Sequence, residues 1–385
     1  MRLETQQKFA ALQAAMSKKF GVQAVAQMFN VTVPQAVVLI DAIQQSIAFL
    51  TRISMIPVTD VKGAIIMLNA PTTIAGRTDT SAPGNAERVP QQVGAMSERT
   101  YEVVKTDFDI AVKYSTLDAY ARFADFNARL MNMIIRRQGL DRLLIGWNGQ
   151  SCAATTDRAT NPLLQDVNHG WLYDLETNKP ANFVKAAQGQ KLKLGKGGDW
   201  KNLDQLAFDL LSLIPEEHRT GNEVVLVGRQ IIAWESGKIF GAHGHTPSEK
   251  VQFEVMTKTY GGMPATMPAG FSDTGVMVCD PANLQLYWQE SAVRRQMVDN
   301  PKKDQVEHYQ SGNECYRIGD LDASAAIKAA DIEFIDNPDD SVKIVNVGNW
   351  AEMPGSINVG NFAEMPLPQT VDIGNWSEMP LEPAP

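Results

Sequence analysis

The sequence predicts an α+β chain with an N-terminal helical arm, a long β-hairpin, a domain pairing a long helix with a sheet, a mixed α/β domain and an extended tail. Three observations predict it. Apolar residues recur at helical spacing in the first fifty residues and again from 116 to 147. A stretch rich in Gly, Pro, Thr and Ser at 69–95 is bracketed by strand-like runs, and strand and helix patterns alternate from 200 to 290. With 385 residues, 44% of them hydrophobic, the chain can bury about two or three folding units.

Taken in order, residues 3–29 place Phe9, Leu12, Met16 and Phe20 on one stripe and Lys8, Lys18 and Lys19 off it, as an amphipathic helix or helix pair does. Pro34 suits a first helical turn. Ala36, Ile40, Ile43 and Ile47 then step by four and three, predicting a second helix that ends near Arg52. Residues 53–68 are strand-like and 69–95 read as an extended loop. Val104, Thr106, Phe108, Ile110, Val112 and Tyr114 then alternate with more polar residues as a half-buried strand. Strands on both sides of so long a tip describe a protruding arm over 60–113, following an N-terminal region at 1–59.

Leu117, Ala121, Ala124, Ala128, Met131 and Ile135 predict one helix from 116 to 147, roughly 45 Å long at 1.5 Å per residue, with Gly139 as a candidate kink. It belongs to a domain at 114–199. That domain also holds a short helix near NPLLQDVNHGWL and the turn-rich connector KLKLGKGGDW. A helix at 203–214, the buried strand EVVLVG, a helix near 230–240 and strands around 276–279 and 284–288 make the mixed domain, 200–290. Residues 291–335, above all 316–335, are expected to return strands to the sheet beside the long helix.

The last fifty residues differ in kind. VGNWAEMP at 347–354, VGNFAEMP at 359–366 and IGNWSEMP at 373–380 are three copies of one octapeptide, beginning 12 and 14 residues apart, too short and irregular for a solenoid. Residues 336–385 hold eight acidic residues against one lysine, so most of the net charge of −9 sits there. This reads as an extended acidic tail that binds through Trp350, Phe362 and Trp376. The plainer alternative is a terminal expansion without function. The near-neutral remainder argues against a dedicated nucleic-acid reader, which would carry a basic patch.

Other classes are disfavoured by what the sequence does not contain. The start is charged and amphipathic, and no run approaches the roughly 20 apolar residues that cross a bilayer. Cys152, Cys279 and Cys315 are scattered, as reduced thiols are. No GxSxG, HExxH, EF-hand or GxxxxGK[ST] motif occurs, so no catalytic, cofactor or metal residues are expected. GKGGD reads as a turn, and His243 and His245 as solvated side chains. Asp107 and Asp109, beside Lys105 and Lys113, read as a salt-bridged face, and Asp339 and Asp340 invite the same question of metal or acid-base chemistry. Arg136, Arg137 and Arg142 are expected to pack their stems and pair with acids rather than meet phosphate.

MRLET at the start, FLTRI at 49–53, TDT at 78–80, ERVP at 87–90 and TLDAYARFADF at 116–126 resemble the major capsid proteins of P2-like (peduovirus) tailed phages. So do IIRRQGLD at 134–141, TDRATNPLLQDV at 156–167, GWL at 170–172, GKGGD, VGRQ at 227–230 and NPKKDQVEHYQSGNECY at 300–316. The likeness covers about 1–335 and stops at the repeats. It implies an HK97-type capsid fold, with an E-loop at 60–113, a P domain with spine helix, and an A domain at capsomer centres. It further implies a major capsid protein whose hexamers and pentamers enclose double-stranded DNA in an icosahedral head. Its partners would be a scaffolding protein, a prohead protease, a portal at one vertex and, through the tail, a minor or decoration protein. The N-terminal piece would be scaffold-like and cleaved within a segment that includes Gln27, Met28, Phe29, Asn30 and Val31. An encapsulin-like compartment shell is the alternative on the same fold, and an unrecognised hydrolase the alternative outside it.

Overall fold

The computed structural model describes residues 1–65, 99–123, 125–243 and 259–335, with isolated positions between 66 and 98, and the side chains of 238–243 fall outside that description. Leu3–Phe20 forms helix α1, whose buried residues include the predicted stripe Phe9, Leu12, Met16 and Phe20. It is one helix, not a pair, because Gly21 takes a left-handed φ of 65° and its N–H bonds back to the Ser17 carbonyl. β1 (Phe29–Asn30) and α2 (Val33–Gln45) follow. Pro34 lies in the first turn of α2, which buries Ala36, Leu39, Ile40 and Ile43.

Next come β2 (Ser54–Val58), β3 (Lys62–Ile65), β4 (Leu68–Asn69), β5 (Ala95–Met96), β6 (Arg99–Glu102), β7 (Val104–Asp107) and β8 (Ile110–Lys113). The single long helix expected at 116–147 is two helices, α3 (Tyr114–Tyr120) and α4 (Phe126–Asn148). The cause of the break is tertiary: Lys8 Nζ of α1 donates to the carbonyls of Ala121 and, at 3.3 Å, Phe123, satisfying acceptors that end α3. Asp118 ties the same helix to the chain start by accepting from Thr5 Oγ1 (2.6 Å) and the Arg2 N–H (3.0 Å). α4 has 23 residues, about 34 Å. Its buried stripe is Phe126, Leu130, Ile134 and Gln138 rather than the one expected, and Ala128 is exposed. Gly139 is a close approach, not a kink. A Cβ there would come within 2.9 Å of Ile47 Cδ1 and 3.0 Å of Ser46 Oγ at the end of α2.

The remaining elements are α5 (Trp171–Asn178), β9 (Phe183–Val184), β10 (Leu192–Gly195), α6 (Leu203–Ser212), β11 (Val224–Val227) and α7 (Arg229–His243). They are followed by β12 (Thr259–Tyr260), β13 (Met263–Thr266), β14 (Val276–Cys279), β15 (Leu284–Gln289), β16 (Arg294–Asn300), β17 (Gln305–Ile318), β18 (Ser324–Ile327) and β19 (Ile332–Ile335).

Two sheets organise them. The first runs β1-β16-β17-β15-β2, with β7 and β8 also bonded to β17. β17 is its axis: its first part lies between β16 and β8, and its last part between β15 and β7. The strand read from sequence at 104–114 as one leg of the arm is therefore two sheet strands, β7 and β8, and Tyr114 already opens α3. The second sheet runs β12-β13-β11-β14-β18-β9. It borrows β9 and β18 from outside 200–290, while β15 joins the first sheet. KLKLGKGGDW is more than connector, since β10 pairs in parallel with β19.

The first core gathers α1, α2, α4 and α5 on the first sheet through residues such as Phe9, Ile43, Ile134, Trp147, Trp171, Leu286 and Tyr316. The second packs α6 on the second sheet through Leu206, Leu210, Val225, Val278 and Ala325. The all-apolar run of β11 is buried on both faces, as its composition requires.

Candidate functional site

The feature that sets this molecule apart is a hairpin that leaves the first sheet. β3 pairs antiparallel with β6 in the register Lys62↔Glu102, Gly63↔Tyr101, Ala64↔Thr100 and Ile65↔Arg99, and farther out β4 pairs with β5. Lys62 and Glu102 form a 3.0 Å ion pair across it. Gly63 is needed because any Cβ would collide with the Tyr101 ring. That ring stacks on Tyr287 of β15, with centroids 4.8 Å apart and planes 10° from parallel. Ile65, Val103, Tyr287 and Cys315 form a small core under the root.

Polar bonds fix the root more firmly. Arg99 of β6 bonds Asp174 Oδ2 of α5 at 2.5 Å and donates to the carbonyls of Ile318 (2.6 Å) and Gly319 (3.0 Å). Asp174 is fully buried, and its other contacts are Arg317 Nη1 (2.8 Å), the Ile318 N–H (2.9 Å) and Asn178 Nδ2 (2.8 Å). A carboxylate so supplied with charged and backbone donors is satisfied without water. One buried residue thus joins the arm, α5 and the end of β17. Neither Arg99 nor Asp174 stands out in sequence; the only trace is that Asp174 sits between Tyr173 and Leu175 on what becomes a buried helix face.

A second clasp lies where β7 gives way to β8. The strand slips at Phe108, whose N–H bonds the Gln310 carbonyl at 2.7 Å, and Asp109 Oδ1 accepts the Gln310 N–H at 3.3 Å. Beneath it, Arg142 of α4 and Glu314 of β17 form a buried pair, with Nε and Nη2 at 2.9 and 2.5 Å from Oε1. The guanidinium lies 4.3 Å from the Phe108 ring centre. As expected, Arg142 pairs with an acid, and Arg137 does so with Asp141 at 2.6 Å, whereas Arg136, against expectation, is exposed and makes no ion pair among the described residues. Lys105 pairs with Asp107 at 2.9 Å. Burial raises the carboxyls of Asp109 and Asp141 above the usual range. With Arg158 these acids line a polar cleft of about 720 Å³. Among the described residues no set of three His, Cys, Asp or Glu fits a metal ion.

The residues expected at a cleavage point are docked to differing degrees. Gln27 and Met28 are exposed. Phe29 and Asn30 pair with Arg295 and Arg294 of β16, and Val31 is buried with its N–H on the Val293 carbonyl at 2.9 Å. Trp350, Phe362 and Trp376 lie outside the described residues, as do His245, Asp339, Asp340 and the side chain of His243. In GKGGD, Gly195 and Gly197 take positive φ and Asp199 accepts the Lys193 N–H at 2.7 Å, a closed turn. Cys152 is exposed, Cys279 and Cys315 are buried, and all three are free thiols.

Comparison with known proteins bears on this architecture. The family described as phage major capsid protein, P2 family, matches residues 8–330. The chain is 33% identical over 351 residues to the capsid proteins of Escherichia phage P2, covering 88% of this chain and 98% of that one. It is 28% identical over 289 residues to the major capsid protein of Serratia phage KSP20, covering 72% and 82%. Among solved structures, a chain of the satellite phage P4 procapsid including size determination (Sid) protein matches with a TM-score of 0.68 and 35% identity, over 87% of this chain and 99% of that one. The shared architecture is the mixed α/β HK97-type capsid fold, and family membership decides for the phage shell over the encapsulin-like and hydrolase alternatives. The hairpin and its clasps are thus parts of a virion shell subunit rather than of an enzyme, and the chain belongs to the P2 family of phage major capsid proteins.

Proposed function

We propose that the hairpin is the lattice-forming arm of the subunit, an E-loop running outward from residue 60 and back to 102 that lies on a neighbouring subunit within hexamers and pentamers of an icosahedral head. One observation carries this reading. Beyond its root, the hairpin's described strands bond only to each other, while the root itself is clamped by Arg99 and Asp174. A rigidly aimed arm without a sheet partner of its own gains stability when a second copy covers it, which couples shell closure to folding. In this reading the first sheet with α3, α4 and α5 is the P domain, and the second sheet with α6 and α7 is the A domain. The segment through α1 is scaffold-like, and a prohead protease cuts within Gln27, Met28, Phe29, Asn30 and Val31. A scaffolding protein guides assembly, a portal occupies one vertex, and double-stranded DNA fills the head without specific contacts. Trp350, Phe362 and Trp376 dock the tail on the shell or on a minor protein.

Electron microscopy of particles formed by the chain with its phage-encoded partners tests this. The expected result is a closed icosahedral shell with the hairpin crossing onto the adjacent subunit, and irregular or fewer particles from Arg99→Ala. A hairpin folded back on its own subunit, or normal shells from Arg99→Ala, would overturn the assignment.

A further inference from the structure

We propose that the apolar cleft between α3 and α4 is the docking site for the tail repeats, one repeat per cleft; this rests on the reading above that the tail docks on the shell. The cleft is about 440 Å³. Leu117 and Leu130 form its floor, and Tyr120 and Met133, each 50% exposed, stand open beside them. The break between α3 and α4 opens it. Arg129 and Arg136 line its edge; Arg129 bonds Asp125 at 2.7 Å, whereas Arg136 makes no ion pair among the described residues. An open apolar floor with a free guanidinium beside it selects an occupant that brings an aromatic ring and a carboxylate together.

Each tail repeat brings both. In NWAEMP, NFAEMP and NWSEMP the glutamate follows the aromatic residue by two positions. In extended backbone, residues two apart share a face at a separation of about 7 Å. An aromatic ring seated between Tyr120 and Met133 therefore directs Glu352, Glu364 or Glu378 toward Arg136. Charge has the right sign, since the tail carries eight acidic residues against one lysine. The linker is long as well. β19 ends at Ile335 and Trp350 follows fifteen residues later, a span of up to about 50 Å. Three anchors in each tail, against one cleft per subunit, raise the local concentration of ligand and tolerate the uneven 12- and 14-residue spacing.

Photo-cross-linking in assembled shells of the full-length chain tests the assignment, with benzoylphenylalanine placed at Tyr120 in one preparation and at Phe362 in another. The Tyr120 probe is expected to capture peptides from 347–380, and the Phe362 probe peptides from 114–136. Arg136→Glu should lower both yields about tenfold. Combining it with Glu352→Lys, Glu364→Lys and Glu378→Lys should restore them, which a merely structural role for Arg136 would not do. If the Tyr120 probe prevents assembly, the same probe at Met133 replaces it. Capture of hairpin residues 60–102 at Tyr120, with Phe362 cross-linked elsewhere on the shell, would overturn the cleft assignment but leave tail docking standing. No shell cross-link from Phe362 would remove both.

Discussion

The buried pair Arg142–Glu314 should be among the costliest single points to break. Both side chains are 2% exposed, and two guanidinium N–H groups converge on one carboxylate oxygen at 2.9 and 2.5 Å. The remaining bonds are weak: Arg142 Nη1 reaches the Gln138 carbonyl at 3.3 Å, and Tyr316 Oη donates to Glu314 Oε2 at 3.3 Å. Arg142→Met leaves a carboxylate with only that long bond, and Glu314→Leu leaves a guanidinium against Phe108 with no acid. Each should cost about 3–5 kcal/mol, the range for stranding one buried charge. The double variant removes both desolvated charges and refills the volume with apolar atoms, so it should recover most of the loss. Urea unfolding of the unassembled subunit, followed by tryptophan fluorescence, measures this through the midpoint and slope. Single variants costing under about 1 kcal/mol, or a double variant as unstable as the worse single, would refute the reasoning.

Other consequences are equally direct. Gly146→Ala drives a Cβ into the Trp171 ring and should cost about 1–3 kcal/mol by overpacking, read by the same titration. A thiol reagent should modify one cysteine per native chain, Cys152, and three in denaturant; its native rate should climb with pH into the alkaline range, because burial raises the Cys152 thiol. Asp118 is held below the usual carboxylate range by its bonds from Thr5 and Arg2, so it stabilises α1 docking above the ordinary value of 3.8 and that contribution fades as pH falls through its folded value. Hydrogen exchange of residues 3–20, compared with β11 in the same sample, should show this acid-induced release, and Asp118→Asn should flatten it.

Amphipathic periodicity made α1 and α2 legible because each turns one stripe to the core, and the all-apolar EVVLVG announced a strand covered on both faces. The extended loop read from composition at 69–95 lies almost wholly outside the described residues. Sequence misled where the deciding partner is remote. Nothing local interrupts 116–147: neither proline nor glycine lies near 121–125, and the break is set by Lys8 more than a hundred residues earlier. Alternation at 104–114 correctly reported a strand with one apolar face, yet it carries no information on whether the neighbour is the other leg of the hairpin or β17. The clasps at Asp174 and Glu314 were invisible for a related reason. A charged residue inside an apolar pattern looks like a solvent-facing position until the fold brings Arg99, Arg317 or Arg142 to it.

The N-terminal arm combines opposing gains and costs, which bear on the cleavage proposed above. α1 covers the first core with four apolar side chains, each worth about 1.5–3 kcal/mol when fully buried. Its last residue, Phe20, lies 5.2 Å from the guanidinium of Arg295, which is 2% exposed and has no carboxylate partner among the described residues; it contacts His308 Nε2 at 2.9 Å. Burial lowers Arg295 to about 10, and burial together with that neighbouring cation lowers His308 to about 3, so His308 is neutral beside a costly buried charge. Removing α1 would lose apolar burial but return Arg295 toward water, and the two effects oppose each other. β1 then decides how readily the arm leaves. Its two residues pair with the edge strand β16 directly over Arg295, next to the exposed Gln27 and Met28. A cut on the exposed side frees α1 while β1 still covers the sheet edge, whereas a cut beyond Val31 would leave that edge bare.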